Sequence, residues 1–336
     1  MAGNYRIHYP IHSVRLGGFG RPSSGCVEIH GLQSVALNTS FNLEQVFELG
    51  QLNIYENIET LPEIEMTLEK VIDGYPLIYH LASEGATAST LLNRTNIKSC
   101  AYLSIFSDGQ DNASGTPMVE ARCSGMYINS LTYTFPVEGN STESVSLVGN
   151  DKVWSTTGVT AGTFAGTDTP ASGVQRREDV VMGVGVQGST WPKEIPGINN
   201  DGKNELDGTQ YDAHIQDVTI TANLGREDIL ELGRRRPFYR YATFPVTIET
   251  SINVHLAGTD PSDGIDADAD STANITDQEI IIHLTDGSIF NLGTVNKLSS
   301  VSYSGGDSGG GNVVATYTYQ NFNILAVTAP HDPDGL

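Results

Sequence analysis

The chain has 336 residues, with 18 Lys and Arg against 40 Asp and Glu, so its formal net charge is −22 and its pI is near 4.5. A field of one sign this large argues against a surface that grips nucleic acid, because neutralising phosphates takes clustered Lys and Arg. Only 17% of the residues are charged, while Gly, Ser, Thr, Asn and the β-formers are plentiful, so an all-β protein is expected, and the length favours two domains.

Residues 1–26 contain Gly17-Gly18-Phe19-Gly20-Arg21-Pro22 and read as an N-terminal arm without regular structure. The start lacks an apolar signal core, and no apolar run reaches the roughly 20 residues that span a bilayer, so a soluble protein made in the cytoplasm, without membrane contact, is expected. Leu32, Val35 and Leu37 lead into Asn38-Thr39-Ser40, which is read as the cap of a short helix over residues 43–49, closed by Gly50. Ile64, Met66 and Leu68 then alternate with Glu63, Glu65 and Glu69, the pattern of a strand with one wet, acidic face. Residues 101–106 read as a buried strand, and residues 126–136 and 144–148 as a strand pair around Val137-Glu138-Gly139-Asn140. Residues 155–172 are rich in Gly, Thr and Ala and nearly free of charge, and 192–208 hold several Pro and Asn-Asp-Gly signals, so 151–210 is expected to be a connector of long loops.

The segment Glu44-Gln45-Val46-Phe47-Glu48-Leu49-Gly50 returns as Glu227-Asp228-Ile229-Leu230-Glu231-Leu232-Gly233, 183 positions later. At that shift the similarity runs without a gap from Leu32/Ile215 to Val71/Val254, with Pro62 matched to Pro245. The unit is far longer than a solenoid repeat and occurs twice, which points to two related domains. The expected organisation is an arm (1–26), a first β-domain (27–150), the connector (151–210) and a second β-domain (211–336), each domain with one short helix. In the ungapped alignment Glu63, Glu65 and Glu69 fall on Val246, Ile248 and Ile252, so a shared acidic face is not expected.

Several motifs that look chemical lack the context their chemistry needs. Gly306-Asp307-Ser308-Gly309-Gly310 copies a serine-protease nucleophile sequence, but no histidine sits in the matching setting, and a glycine-rich hairpin tip is favoured. Gly183-Val184-Gly185-Val186-Gln187-Gly188 fits a dinucleotide fingerprint, yet Trp191-Pro192 follows where a helix should open. Asp266, Asp268, Asp270 and Asp277 have calcium-loop spacing without the turn glycine, which allows a casual cation contact at most. Cys26, Cys100 and Cys123 are too scattered for a zinc site or disulfide framework and read as buried thiols. No cofactor, metal or catalytic residue is assigned, and an enzyme is not expected. Arg234, Arg235, Arg236, Phe238, Tyr239, Arg240 and Tyr241 belong to the basic run of an acidic chain; single-strand binding is one reading, and a subunit interface, where Arg, Tyr and Phe are enriched, is the favoured one.

The stretch Phe47-Glu48-Leu49-Gly50-Gln51-Leu52-Asn53-Ile54-Tyr55-Glu56-Asn57, with Leu61-Pro62-Glu63-Ile64-Glu65 and residues 68–77, resembles virion structural proteins of tailed bacteriophages. Residues 139–151, and residues 224–228 and 239–246, are similar to stretches of tail tube proteins. The resemblance implies β-sandwich or half-barrel domains in stacked rings around an acidic lumen that conducts the genome, with Glu63, Glu65 and Glu69 as candidate lumen-facing residues. It also implies self-association, contacts with sheath, terminator or baseplate proteins, DNA passing through without specific binding, and a place in the virion tail after assembly in the bacterial cytoplasm. With the duplication, each chain would supply two of six positions in a trimeric ring. The alternative is another virion part, such as a baseplate, decoration or carbohydrate-binding protein with Trp154 and Trp191 as sugar platforms.

Overall fold

The computed structural model describes residues 11–41, 43–107, 109–111, 116–156, 173–182, 188–192, 195, 213–234, 236–256, 277–305 and 313–335. In chain order the elements are β1 (His12–Gly18), β2 (Val27–Glu28), β3 (Leu32–Ser40), β4 (Leu43–Phe47), β5 (Ile54–Glu59) and β6 (Glu63–Val71). Two short helices follow, α1 (Ile78–Ala82) and α2 (Leu91–Arg94). Then come β7 (Ser99–Ile105), β8 (Val119–Pro136), β9 (Thr142–Gly149), β10 (Asp151–Ser155), β11 (Ala213–Asn223), β12 (Arg226–Ile229) and β13 (Tyr239–Ala242). The chain ends with β14 (Thr247–Leu256), β15 (Ile281–His283), β16 (Ile289–Asn291), β17 (Lys297–Ser304), β18 (Val314–Phe322) and β19 (Ala326–Thr328).

The main sheet is antiparallel, and its long row runs β3-β6-β9-β8-β11-β14-β18-β17. Alternating side chains explain why it is one-sided. In β6, Ile64, Met66 and Leu68 are buried, whereas Glu63 and Glu65 are exposed and Glu69 is half-buried. The apolar face is roofed by α1 and by the small sheet β15-β16-β19. Phe290 of β16 packs its ring against Tyr133 and Phe135, at 4.7 and 5.1 Å between centroids. The buried cluster extends from Val14 and Met66 through Tyr133 to Ile252 and Tyr319, so the two halves of the row share a continuous core.

The row divides into two sets of four strands with the same pairing plan. Val35 of β3 pairs with Leu68 as Val218 of β11 pairs with Ile252. The ladder slips at Gln33 in one set and at Gln216 in the other, and each glutamine amide donates to the carbonyl two residues back, Gly31 or His214. β8 and β17, the last strand of each set, slip at Asn129 and at Ser299. The 183-residue shift holds for β3/β11, but Leu68 and Ile252 are 184 apart, so the second set has one extra residue between its hairpin and β14. This corrects the ungapped alignment: Glu63, Glu65 and Glu69 correspond to Thr247, Glu249 and Asn253, and both sets turn a polar face outward.

Two sequence expectations change. Residues 12–18 of the presumed arm form β1, an inner strand held between β7 and β2, with Val14 and Leu16 buried. The helix expected over residues 43–49 is instead the strand β4, paired with β5, and its counterpart β12 pairs with β13. A helix of two turns has too few internal bonds to survive without packing, and this segment lies in solvent, where a hairpin ladder satisfies the backbone. Gly50 and Gly233 serve the turns at φ 93° and 82°, with Gln51 and Arg234 each donating to the carbonyl three residues back, Glu48 and Glu231.

The roof is fastened by buried polar groups. The Glu143 carboxylate accepts the amides of Ile78 and Tyr79 at 2.6 and 3.0 Å, capping α1 from the sheet. Arg94 meets Asp332 at 2.5 Å and Asp334 at 3.4 Å, tying the C-terminal segment to α2. His80 of α1 reaches the Val327 carbonyl at 3.1 Å, and burial, opposed by Asp332, brings its pKa down to about 4. A histidine held neutral when folded but titrating near 6.5 when unfolded contributes stability that is complete above pH 6.5 and is lost as pH falls towards 4. Stability is therefore expected to drop by on the order of 2–3 kcal/mol across that window, and His80→Asn should flatten the dependence when urea unfolding is followed at pH 7 and pH 4.5.

Candidate functional site

At the middle of the row, β8 of the first set pairs with β11 of the second. Phe135 stands opposite Val218, Tyr133 opposite Ile220 and Leu131 opposite Ala222, and all are buried. Each set thus ends in a strand that the start of a further set can extend, and the chain makes that joint once internally. The outer ends, β3 and β17, each pair on one side only among the described residues. Their apolar rows are half-covered: Val35, Leu37 and Thr39 on β3, and Leu298 and Val301 on β17. Tyr303, the counterpart of the fully buried Tyr133, is 51% exposed. Unpaired edges of this length are aggregation hazards that proteins normally blunt or cover.

The open face of the row carries Ser34, Asn38 and Ser40 on β3, Glu63, Glu65 and Glu69 on β6, and Ser144 and Ser146 on β9. It continues through Thr132 and Thr134, Asp217, Thr219 and Thr221, Glu249 and Ser251, to Thr316, Thr318 and Gln320. The acidic residues named from the sequence are therefore part of a wider surface of hydroxyls, amides and carboxylates, with Lys297 at its β17 margin. Ser146 donates to Glu65 at 2.9 Å and Ser34 to Glu69 at 3.3 Å.

The basic run lies in the loop before β13 and in that strand, and β12–β13 is seated on the first set. The Arg226 guanidinium donates to the carbonyl of Ile128 at the bulge of β8, and to that of Thr95 at 2.7 Å. Burial brings its pKa down to about 10. The Tyr239 hydroxyl donates to the Asn96 carbonyl, and its ring meets the Tyr127 ring at 5.4 Å and the Lys98 ammonium at 4.8 Å. Arg240, 5% exposed, pairs with Asp228 at 2.9 Å and Glu63 at 3.5 Å, while Arg236 pairs with Asp151 at 2.9 Å. Arg236, Tyr239, Arg240 and Asp151 line an open cleft of about 310 Å³ with Phe19, Lys98 and Tyr127. Arg236, Tyr239 and Arg240 thus join the two halves of one chain. Arg234, Phe238 and Tyr241 remain largely exposed, and Arg235 lies outside the described residues.

The matching hairpin β4–β5 has a different setting. Every residue of β5 and all of β4 but Val46 is exposed, and the hairpin presents Leu43, Phe47, Leu49, Leu52, Ile54, Tyr55 and Ile58 to solvent. Where β12–β13 carries Arg226, Tyr239 and Arg240, this hairpin carries Leu43, Glu56 and Asn57.

The three cysteines are free and buried. Trp191 is also buried, which removes it as a sugar platform, whereas Trp154 is half exposed. Among the described residues no group of three or more His, Cys, Asp and Glu is placed to hold a metal, and no helix is long and apolar enough to cross a membrane. The Ser308 loop, residues 183–187 and the Asp266, Asp268 and Asp270 loop lie outside the described residues.

No family model and no curated protein matches the chain. Among solved structures, it is similar to the anti-feeding prophage cap, the tube terminating cap, at 16% identity and a TM-score of 0.35, over 46% of this chain and 95% of that one. A chain in the anti-feeding prophage baseplate matches at 10% identity and 0.35, over 47% and 100%, and one in the sheath-tube complex of an extracellular contractile injection system at 14% and 0.34, over 46% and 93%.

Arg226→Leu is expected to destabilise the chain by roughly 2–4 kcal/mol in denaturant unfolding, since two buried carbonyls lose their donor. Leu43→Ala at the corresponding position of β4 should cost less than about 0.5 kcal/mol, as a surface substitution does.

Proposed function

We propose that the chain is a structural subunit of a phage-like tail or injection tube, in which copies join edge to edge into a ring around a polar pore. The observation that carries the proposal is the β8–β11 joint. By internal duplication, the first set ends where the second begins, and β17 offers the same edge to the β3 of another copy. Such a contact is heterologous, and it closes into a ring when the rotation at each joint divides a full turn. Three copies would supply 24 strands and six similar joints. At about 4.8 Å between strands tilted by roughly 40°, the backbone wall is about 50 Å across, leaving a pore of about 35 Å after side chains are counted. Two copies would close to about 30 Å and leave about 15 Å after side chains, an aqueous channel but narrower than a nucleic-acid duplex.

The face turned to the pore is the open one, with Glu63, Glu65, Glu69, Asp217 and Glu249 among hydroxyl and amide side chains. Carboxylates there repel phosphates over a Debye length of about 8 Å, and the face holds no basic stripe among the described residues for a passing duplex to grip. The protein then conducts nucleic acid, or another cargo, without binding it specifically. Its partners are further copies of itself and other tail components, such as sheath, terminator or baseplate proteins, and its place is the assembled particle.

Negative-stain micrographs of the concentrated protein should show hollow rings or tubes with three chains per ring. Leu37→Lys places a charge in the apolar row of the β3 edge; it should leave the monomer folded by circular dichroism and abolish rings. Solid or globular monomers at all concentrations, or rings untouched by the substitution, would contradict the proposal.

A further inference from the structure

We infer that the exposed hairpin β4–β5 docks on the β17 end of a neighbouring copy, placing Glu56 against that copy's Lys297. The inference rests on the ring reading and assigns to the neighbour a seat whose geometry the chain already displays once, where β12–β13 lies on the first set. Tyr127, at the centre of that seat, is two residues before the Asn129 bulge and opposite Val148 on β9. Lys297 is two residues before the Ser299 bulge and opposite Gln320 on β18. On the hairpin side, Tyr239 is paired with Ile229, and Glu56 with Val46. The contact of Tyr239 with Tyr127, at 5.4 Å between rings, therefore becomes a contact of Glu56 with Lys297.

The chemistry of the two surfaces agrees. An aromatic pair in the internal seat is replaced by an acid and a base, both exposed: Glu56 within β5, and Lys297 at the start of β17, 61% exposed and paired among the described residues with Asp277 at 3.6 Å. The edge of the internal seat, where Arg236 meets Asp151, follows directly on β9. The corresponding end of β18 exposes Phe322 and Ile324, with Val295 nearby. The hairpin residues that arrive there are Leu52, Asn53 and Ile54, so an ion pair gives way to apolar contact. Burying exposed side chains of this size contributes about 25 cal/mol per Å², which accounts for a hairpin that otherwise leaves seven large apolar groups in water. β3 and β17 are opposite ends of the row, so Glu56 cannot reach Lys297 of its own chain.

The test mixes Glu56→Cys chains with Lys297→Cys chains under ring-forming conditions and treats them with a short bis-maleimide. The expected product is a covalent dimer on denaturing gels that requires both substitutions, and a chain carrying both should yield species ending at the covalent trimer. Gln51→Cys, at the hairpin tip, should cross-link to Lys297→Cys at least tenfold less. Rings in micrographs without this product, or equal cross-linking from Gln51→Cys, would overturn the hairpin docking while leaving the ring intact. Absence of rings in the unsubstituted protein would instead remove the ring reading and the docking with it.

Discussion

A strand at the end of a sheet leaves a line of N–H and C=O groups without partners, and the architecture of this chain follows from that constraint. Eight strands in a row, from β3 to β17, satisfy every interior ladder and leave two edges. Within the chain these two edges do not pair with each other: β3 bonds to β6 alone and β17 to β18 alone among the described residues. The joint β8–β11 shows how the same edges are satisfied when a second set follows. Tyr133 at the joint is sealed between the Phe290 ring of the roof and the neighbouring strand β11, and Tyr303, with no strand beyond it among the described residues, is half exposed.

The one-sidedness of the sheet has its own physical cause. β6 can keep Glu63, Glu65 and Glu69 outward because Ile64, Met66 and Leu68 are covered by a roof that includes α1 and the β15-β16-β19 sheet. That roof is short and partly polar, so its placement depends on directed bonds: Glu143 to the start of α1, Arg94 to Asp332 and Asp334, and His80 to Val327. Buried groups of this kind add specificity to a core that hydrophobic burial alone would leave adaptable.

The two hairpins illustrate how one backbone plan serves two environments. β12–β13 is fixed by Arg226, Tyr239 and Arg240 on the first set, with Asp228, partly desolvated, raised in pKa but countered by Arg240. β4–β5 has the same register and turn, yet it carries Leu43, Glu56 and Asn57 at those positions and lies exposed.

Much of this was legible from side-chain order. The acidic alternation on β6, the buried thiols, the β-rich composition and the 183-residue echo all appear in the primary structure, because strand periodicity and turn glycines are local properties. The residues 43–49 misled as a helix since Leu43, Val46 and Phe47 are also spaced for a helical face; only the pairing of β4 with β5 chooses between the two. The one-residue slip between β6 and β14 was equally hidden: Glu63 falls on Val246 in an ungapped alignment but on Thr247 in the ladder, and a slip of one reverses every side chain of a strand. Likewise the sequence reads Arg240 and Tyr239 as a subunit interface, while the partners the fold gives them within the chain, Glu63, Asn96 and Tyr127, lie more than a hundred residues away. Local sequence determined which faces are apolar and where the chain turns; long-range hydrogen bonding decided which strands meet, because pairing energy depends on neighbours that no local pattern names.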